Sequence, residues 1–108
     1  MEAIRTLIDQ GQLEAAESAL RERLVEQPED ADALNLYAVV LARRGDLLGA
    51  RSHFKRAVDH GPDQPMYLVN YALVLSQQGD VQRAAELLER AAALDPNWAR
   101  SHTLLAQL

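Results

Sequence analysis

A spacing of 34 residues, repeated along the chain, is the feature that most constrains its fold. Gly45-Asp46 and Gly79-Asp80 lie 34 positions apart, and Gly11 lies another 34 positions upstream. Prolines and alanines recur in the same phase, as Pro28, Pro62 and Pro96 and as Ala16, Ala50 and Ala84. Repeats of this length are single supersecondary units that bury their apolar faces only by stacking on neighbours. The period therefore predicts a tandem helical repeat.

Each period reads as two helices joined by a short turn. In the second period the apolar stripe Leu34, Tyr37, Ala38 and Leu41 has the i, i+3, i+4, i+7 spacing of one helical face. Asp30 is placed to cap the start of that helix, and Asp46 to cap the next. The third period repeats this plan from Pro65, which the first turn of a helix tolerates. Short connections favour antiparallel neighbours.

Length and composition limit the classes of protein that this chain can represent. At 108 residues it is long enough for one domain. The net charge of −5 argues against general binding to nucleic acid or anionic membrane surfaces. No apolar run is long enough to span a bilayer and no signal-peptide pattern is present, so we expect the cytoplasm. The absence of cysteine excludes disulfides, thiol nucleophiles and zinc–thiolate sites.

On these residues the chain resembles the tetratricopeptide-repeat (TPR) family. The matching pattern is Leu34-x-x-Tyr37-Ala38-x-x-Leu41, Gly45-Asp46, Ala50-x-x-x-Phe54-x-x-Ala57 and Pro62, which recurs as Leu68-x-x-Tyr71-Ala72-x-x-Leu75, Gly79-Asp80, Ala84-x-x-x-Leu88-x-x-Ala91 and Pro96. The resemblance implies an all-α fold, a right-handed α-solenoid of about three helix-turn-helix units plus a C-terminal helix. We expect a single domain over 1–108, with a partial first repeat at 1–30, repeats at 31–64 and 65–98, and a terminal helix at 99–108.

The first repeat departs from the pattern. It has half of its leading helix, Gln12 where aspartate follows the other glycines, and Arg23 where Ala57 and Ala91 stand. Because end units of a solenoid face water, these departures are typical of an N-terminal cap.

The resemblance also implies a function, because TPR proteins bind peptide or protein segments in the concave surface lined by the first helix of each pair. The groove positions carried over to this chain are Asp32, Asn35, Val39, Arg43, Met66, Val69, Asn70, Leu73, Gln77 and Arg100. Their centre is apolar and arginines flank it, which predicts a partner segment with an apolar anchor and acidic flanks. In the alternative interpretation the last helix or a second chain covers this stripe, and it is core.

Two further points concern the same groove. It has no lysine, so recognition of a peptide carboxyl terminus by a basic clamp is not expected. Asn70 is either a structural hydrogen-bonding residue or a ligand contact.

The C-terminal end leaves two alternatives open. Leu104, Leu105 and Leu108 end the chain without a polar outer face. Either the chain is part of a longer repeat protein, for instance a regulatory domain of an enzyme, or this helix mediates homodimerisation.

The sequence predicts no catalytic, cofactor-binding or metal site. His53 and His60 are seven residues apart, about 10.5 Å along one helix, too far to share a metal ion. Ser52 and His53 are adjacent and point in different directions, unlike a nucleophile and its base. No glycine follows a strand in a phosphate-binding loop. We therefore expect a non-catalytic scaffold whose partner is a protein or peptide, without nucleic acid or membrane insertion.

Overall fold

Six α-helices make up the part of the chain that the computed structural model describes, residues 1–97. They are α1 (Glu2–Asp9), α2 (Leu13–Glu26), α3 (Ala31–Arg43), α4 (Leu47–His60), α5 (Pro65–Gln77) and α6 (Val81–Leu94). No strand occurs within these 97 residues. The expected all-α helical-repeat solenoid is confirmed, while the predicted terminal helix at 99–108 lies outside the described residues.

The helix ends follow the pattern of the repeat. The side chain of Asp30 accepts a hydrogen bond from the amide of Ala33 at 3.2 Å, and that of Asp46 accepts one from Gly49 at 2.9 Å. Both predicted N-caps are thus confirmed, and such a cap contributes about 1 kcal/mol. The glycines of the period lie in the left-handed region, with φ of 77°, 89° and 88° at Gly11, Gly45 and Gly79. That region favours glycine because it has no Cβ.

The core is built from small residues between paired helices and large residues between pairs. Helix α3 packs on α4, α5 packs on α6, and α4 joins the two pairs by packing on α5. The alanines that the sequence assigns to helix contacts are at most 1% exposed, namely Ala38, Ala50, Ala57, Ala72, Ala84 and Ala91. Phe54, Leu68, Tyr71 and Leu75 fill the space around them. A second cluster around Ile8, Leu20 and Val40 attaches α1 and α2.

The same contact recurs at successive junctions between helix pairs with different chemistry. At the first junction Arg44 Nη1 lies 2.6 Å from Glu17 Oε2, which forms an ion pair. At the second, Arg51 Nη1 donates to Gln78 Oε1 at 3.3 Å. Arg51 and Gln78 follow Glu17 and Arg44 by 34 positions, so the two contacts are equivalent in the repeat. The arginine has changed sides between one junction and the next.

Candidate functional site

A cleft of about 330 Å³ lies between α3 and α5, the first helices of neighbouring pairs. Its lining comprises Val39, Ala42 and Arg43 from α3, Phe54 from α4, and Asn70, Leu73, Val74 and Gln77 from α5. The apolar side chains form its middle, whereas Arg43, Asn70 and Gln77 supply polar groups. Ligand sites typically combine an apolar lining with a few placed polar groups, so this cleft is the candidate site.

Elsewhere on the described part of the chain, three larger depressions are lined mainly by charged and polar residues. One of about 400 Å³ is formed by Asp80, Gln82, Arg83, Glu86, Leu87 and Arg90. Another, of about 520 Å³, is formed by Glu14, Glu17, Ser18, Arg21, Leu41, Arg44 and Asp46. The third, of about 510 Å³, has the smallest lining, Gln27, Pro28, Glu29 and Asp30. Because their linings are charged and polar, these surfaces are typical of the solvated outer faces of helices rather than of a binding site for an apolar group.

The structure brings five of the predicted groove residues together at the cleft. These are Val39, Arg43, Asn70, Leu73 and Gln77. Met66 is 40% exposed on α5 but does not line the cleft. Arg100 lies outside the described residues.

Two further predicted groove residues belong to the packed interior. Val69 is 3% exposed and Asn35 is 1% exposed, so neither side chain is available to a partner at the surface. Sequence reasoning did not assign Phe54 and Val74 to the cleft, although both line it. The pattern assigns Phe54 to the core and gives Val74 no role, and each side chain is 2% exposed.

Asn35 and Asn70 form a hydrogen bond that joins α3 to α5. The Nδ2 group of Asn70 donates to Oδ1 of Asn35 at 3.1 Å. Among residues 1–97, Asn35 is the one polar side chain counted in the buried core. A buried amide oxygen needs a donor, because leaving it unpaired costs free energy. Asn70 therefore has a structural hydrogen bond, and the same residue also lines the cleft.

Asp32 is engaged on both sides rather than presented to the groove as a free charge. Arg5 of α1 forms an ion pair with its carboxylate, and the hydroxyl of Tyr67 lies 3.5 Å from Asp32 Oδ1. The Coulomb attraction of Asp32 raises the pKa of Arg5. Burial of the phenol, reinforced by Asp32 and Asp30, raises the pKa of Tyr67 to about 12.

Arg43 lies at one end of the cleft, and the described part of the chain uses few of its hydrogen-bond donors. Its Nη1 donates to the backbone oxygen of Ile8 at 3.1 Å, which links α3 to the last turn of α1. No carboxylate of residues 1–97 forms an ion pair with it, in contrast to Arg5 and Arg44. A guanidinium has five N–H donors, and the bond to Ile8 is the one that residues 1–97 form with it, which leaves four unused within that range.

These contacts share a spacing that identifies neighbouring positions on adjacent first helices. Ile8 and Arg43, Asp32 and Tyr67, and Asn35 and Asn70 are each 35 residues apart. The spacing of 35 is one residue longer than the repeat of 34. Each side chain therefore contacts not the equivalent position in the next unit but the residue directly after that position. Polar pairs at this separation are the sequence signal that could have found the Asn35–Asn70 bond.

The histidine that could have suggested chemistry has a packing role. Nδ1 of His53 lies 2.9 Å from the backbone oxygen of Gly49, and its ring meets that of Tyr37 edge-on at 4.8 Å. Within residues 1–97 no three His, Asp or Glu side chains are grouped so that they could hold a metal ion. In the same range, no helix combines the length and apolarity needed to cross a lipid bilayer.

Comparison with known proteins identifies one matching family and several solved structures with a similar fold. The family described as the cilia and flagella-associated protein 70 middle TPR-like domain matches residues 8–106. Among curated protein sequences, none matches the chain.

Three similar solved structures illustrate the fold. MamA is 18% identical with a TM-score of 0.85, over 95% of this chain and 60% of MamA. The first TPR of Spaghetti (RPAP3), bound to an HSP90 peptide, is 17% identical with a TM-score of 0.86, over 97% of this chain and 84% of that one. A mutant O-GlcNAc transferase of Thermobaculum terrenum is 28% identical with a TM-score of 0.86, over 93% of this chain and 19% of the transferase. The chain thus spans only part of MamA and of the transferase.

Proposed function

The chain belongs to the TPR family, in the group of the cilia and flagella-associated protein 70 middle TPR-like domain, and we propose that the cleft between α3 and α5 binds a protein segment through one apolar anchor side chain. Membership of this family makes the chain a protein-interaction repeat domain. That the first TPR of Spaghetti is bound to an HSP90 peptide supports a peptide as the kind of partner. The position of the anchor rests on the geometry of this chain.

The observation that carries the proposal is the apolar middle of the cleft. Leu73 is 36% exposed there, facing a lining that includes Val39, Phe54 and Val74. Filling such a surface with a leucine-sized side chain contributes about 1.5–3 kcal/mol, enough to anchor a short segment but not to bind it tightly alone. Backbone contacts and charges of the segment supply the rest of the affinity.

The sequence predictions about domain bounds, location and assembly remain proposals. We treat 1–108 as one non-catalytic domain with repeats at 31–64 and 65–98. A cytoplasmic location, a role inside a larger protein and homodimerisation also stay predictions. The residues invoked for the homodimer, Leu104, Leu105 and Leu108, lie outside the described part of the chain.

The proposal is tested by titrating the ¹⁵N-labelled protein with two capped seven-residue peptide pools. One pool fixes leucine at its centre and the other fixes serine, with the remaining positions varied. We expect the leucine pool to shift the amides around Val39 and Leu73 and the serine pool to leave them unchanged. Shifts confined to helix ends and loops would remove the groove from consideration.

A matched pair of variants separates the cleft from other exposed apolar positions. Leu73→Gln removes the apolar lining, whereas Leu48→Gln changes a leucine on α4 that is 76% exposed and outside the cleft. We expect Leu73→Gln to weaken binding of the leucine pool at least fivefold, consistent with the loss of about 1 kcal/mol of apolar contact. Leu48→Gln should bind like the parent chain, and equal weakening in both variants would contradict the proposal.

A further inference from the structure

The geometry of the cleft points to a more specific partner. We infer that the groove selects an extended segment carrying an acidic residue two positions from the apolar anchor, with Arg43 binding the acidic carboxylate. This inference rests on the proposed function, because it places the acid relative to an anchor that occupies the cleft.

The first step is the charge at the cleft. Arg43 lines it and has no carboxylate partner among residues 1–97, although the chain as a whole carries a net charge of −5. Its bond to the Ile8 oxygen holds the guanidinium in place, so less side-chain freedom is lost when a ligand binds. The free N–H groups match the two oxygens of a carboxylate, which guanidinium binds with strong, paired hydrogen bonds.

The second step is the position that an acid can take. The carboxyl ends of α3 and α5 carry partial negative charge, which disfavours an anion there except where Arg43 reaches it. At the opposite end of α3, eleven residues or about 16 Å away, the cation Arg5 is already paired with Asp32. Among the groove residues that the structure describes, Arg43 therefore offers a carboxylate its one favourable place.

The third step is the spacing from the anchor. Val39 and Arg43, and likewise Leu73 and Gln77, are four residues apart, one turn or about 6 Å along parallel helices. An extended chain advances about 6.6 Å over two residues and returns its side chains to the same face. In a segment that runs along α3 and α5, as this inference requires, an anchor between Val39 and Leu73 brings the side chain two positions away level with Arg43. A residue one or three positions away points to the other face.

An extended partner also fits the size of the cleft. A helix with its side chains is about 10–12 Å in diameter. A cleft of about 330 Å³ receives one large side chain and the adjoining backbone, not the body of a helix. The spacing of two residues follows from this choice, because a helical partner would instead present residues three or four apart.

The test uses fluorescein-labelled, capped peptides on a Gly-Ser background and fluorescence anisotropy. One set places glutamate one, two or three positions after a single leucine, and a second set reverses the order. Controls carry glutamine or lysine two positions away from the leucine, or serine in place of the leucine. In one of the two chain directions, we expect the peptide with glutamate two positions from the leucine to bind roughly three- to tenfold more tightly than the same peptide with glutamine. Raising the salt concentration should reduce this advantage, while lysine should bind more weakly than glutamine.

Variants of the protein assign the effect to Arg43. Arg43→Gln should abolish the preference for glutamate, and Arg43→Lys, which keeps the charge without the planar fork, should retain part of it. Arg56→Gln is the matched control, because Arg56 also donates one hydrogen bond to a backbone oxygen, that of Pro28 at 3.2 Å, but lies outside the cleft. Circular dichroism checks that each variant is folded.

The outcomes distinguish this inference from the proposed function. If leucine peptides bind equally well with glutamate or glutamine, or if Arg43→Gln keeps the preference, the acidic partner is wrong while the apolar anchor stands. If no leucine peptide binds more tightly than its serine counterpart, the proposed function fails and the inference fails with it.

Discussion

The hydrogen bond between Asn35 and Asn70 gives a prediction that the chain itself supplies the means to test. The equivalent positions in the neighbouring units hold Val69 and Leu36, 34 residues from Asn35 and Asn70. Both residues are at most 9% exposed, so valine and leucine fit these places in the repeat. The substitutions Asn35→Val and Asn70→Leu therefore remove the polar pair with little change of shape.

The magnitude follows from the burial of the acceptor. Asn70→Leu removes the donor at 3.1 Å and leaves the amide oxygen of Asn35, a residue 1% exposed, without it. An unpaired buried acceptor costs about 1–3 kcal/mol. We expect a loss of about 1–2 kcal/mol, since the leucine regains some apolar contact, which lowers Tm by about 4–8 °C per kcal/mol.

Removing both partners should cost much less than removing one. In the double variant Asn35→Val/Asn70→Leu no polar group is left unpaired, and we expect it within about 1 kcal/mol of the parent chain. Urea unfolding followed by circular dichroism gives the four free energies of the cycle. If the losses of the two single variants add to that of the double variant within about 0.5 kcal/mol, the bond does not couple the helices and this reasoning is refuted.

Two further predictions concern the core and the pH dependence. Ala50→Leu places a large side chain where the exposed fraction is 0%, so it should lower the free energy of unfolding by about 1–3 kcal/mol. The control Ala93→Leu, at an exposed position of α6, should change that free energy by less than about 0.5 kcal/mol. Equal melting temperatures for the two variants would contradict the close helix packing. The folded-state pKa of Tyr67 is about 12, above about 10 for an unfolded chain, so its stabilising effect is complete below pH 10 and is lost as the pH rises toward 12. The urea midpoint of the parent chain should therefore fall relative to that of Tyr67→Phe between pH 9 and pH 11, and a constant difference would rule out this assignment.

Much of the fold follows from the sequence because its information is local and repeated. Asp30 and Asp46 occur just before apolar runs, so their capping bonds could be predicted from short-range pattern. Ala50 recurs in phase with other small residues, which is sufficient to place it between helices. These features need only the geometry of one helix and one turn.

The candidate site could be predicted only in part, because it depends on how far neighbouring helices cover one another. Periodicity gives the direction of Asn35 and Val69 on their helices but not the side chain that closes over them. Ile8, which accepts from Arg43, and Arg5, which pairs with Asp32, both lie in α1, an atypical half helix whose docking no repeat pattern specifies. Phe54 was correctly assigned to the core, yet one side of it also forms part of a cleft wall.

The exchange of charge between the two junctions restricts how the units can be ordered. Arg44 meets Glu17 on one side of its helix pair, while Arg51 of the same pair reaches Gln78 on the other. A tandem duplication of this unit would set Arg51 of the first copy opposite the counterpart of Arg44 in the second, two like charges in place of a hydrogen bond. The ion pair that Arg51 also forms with Asp80, at 3.8 Å, would be kept by Asp46 of the second copy, so the two arginines would weaken the new junction without removing this attraction. The middle unit is thus better matched to different units before and after it than to a copy of itself.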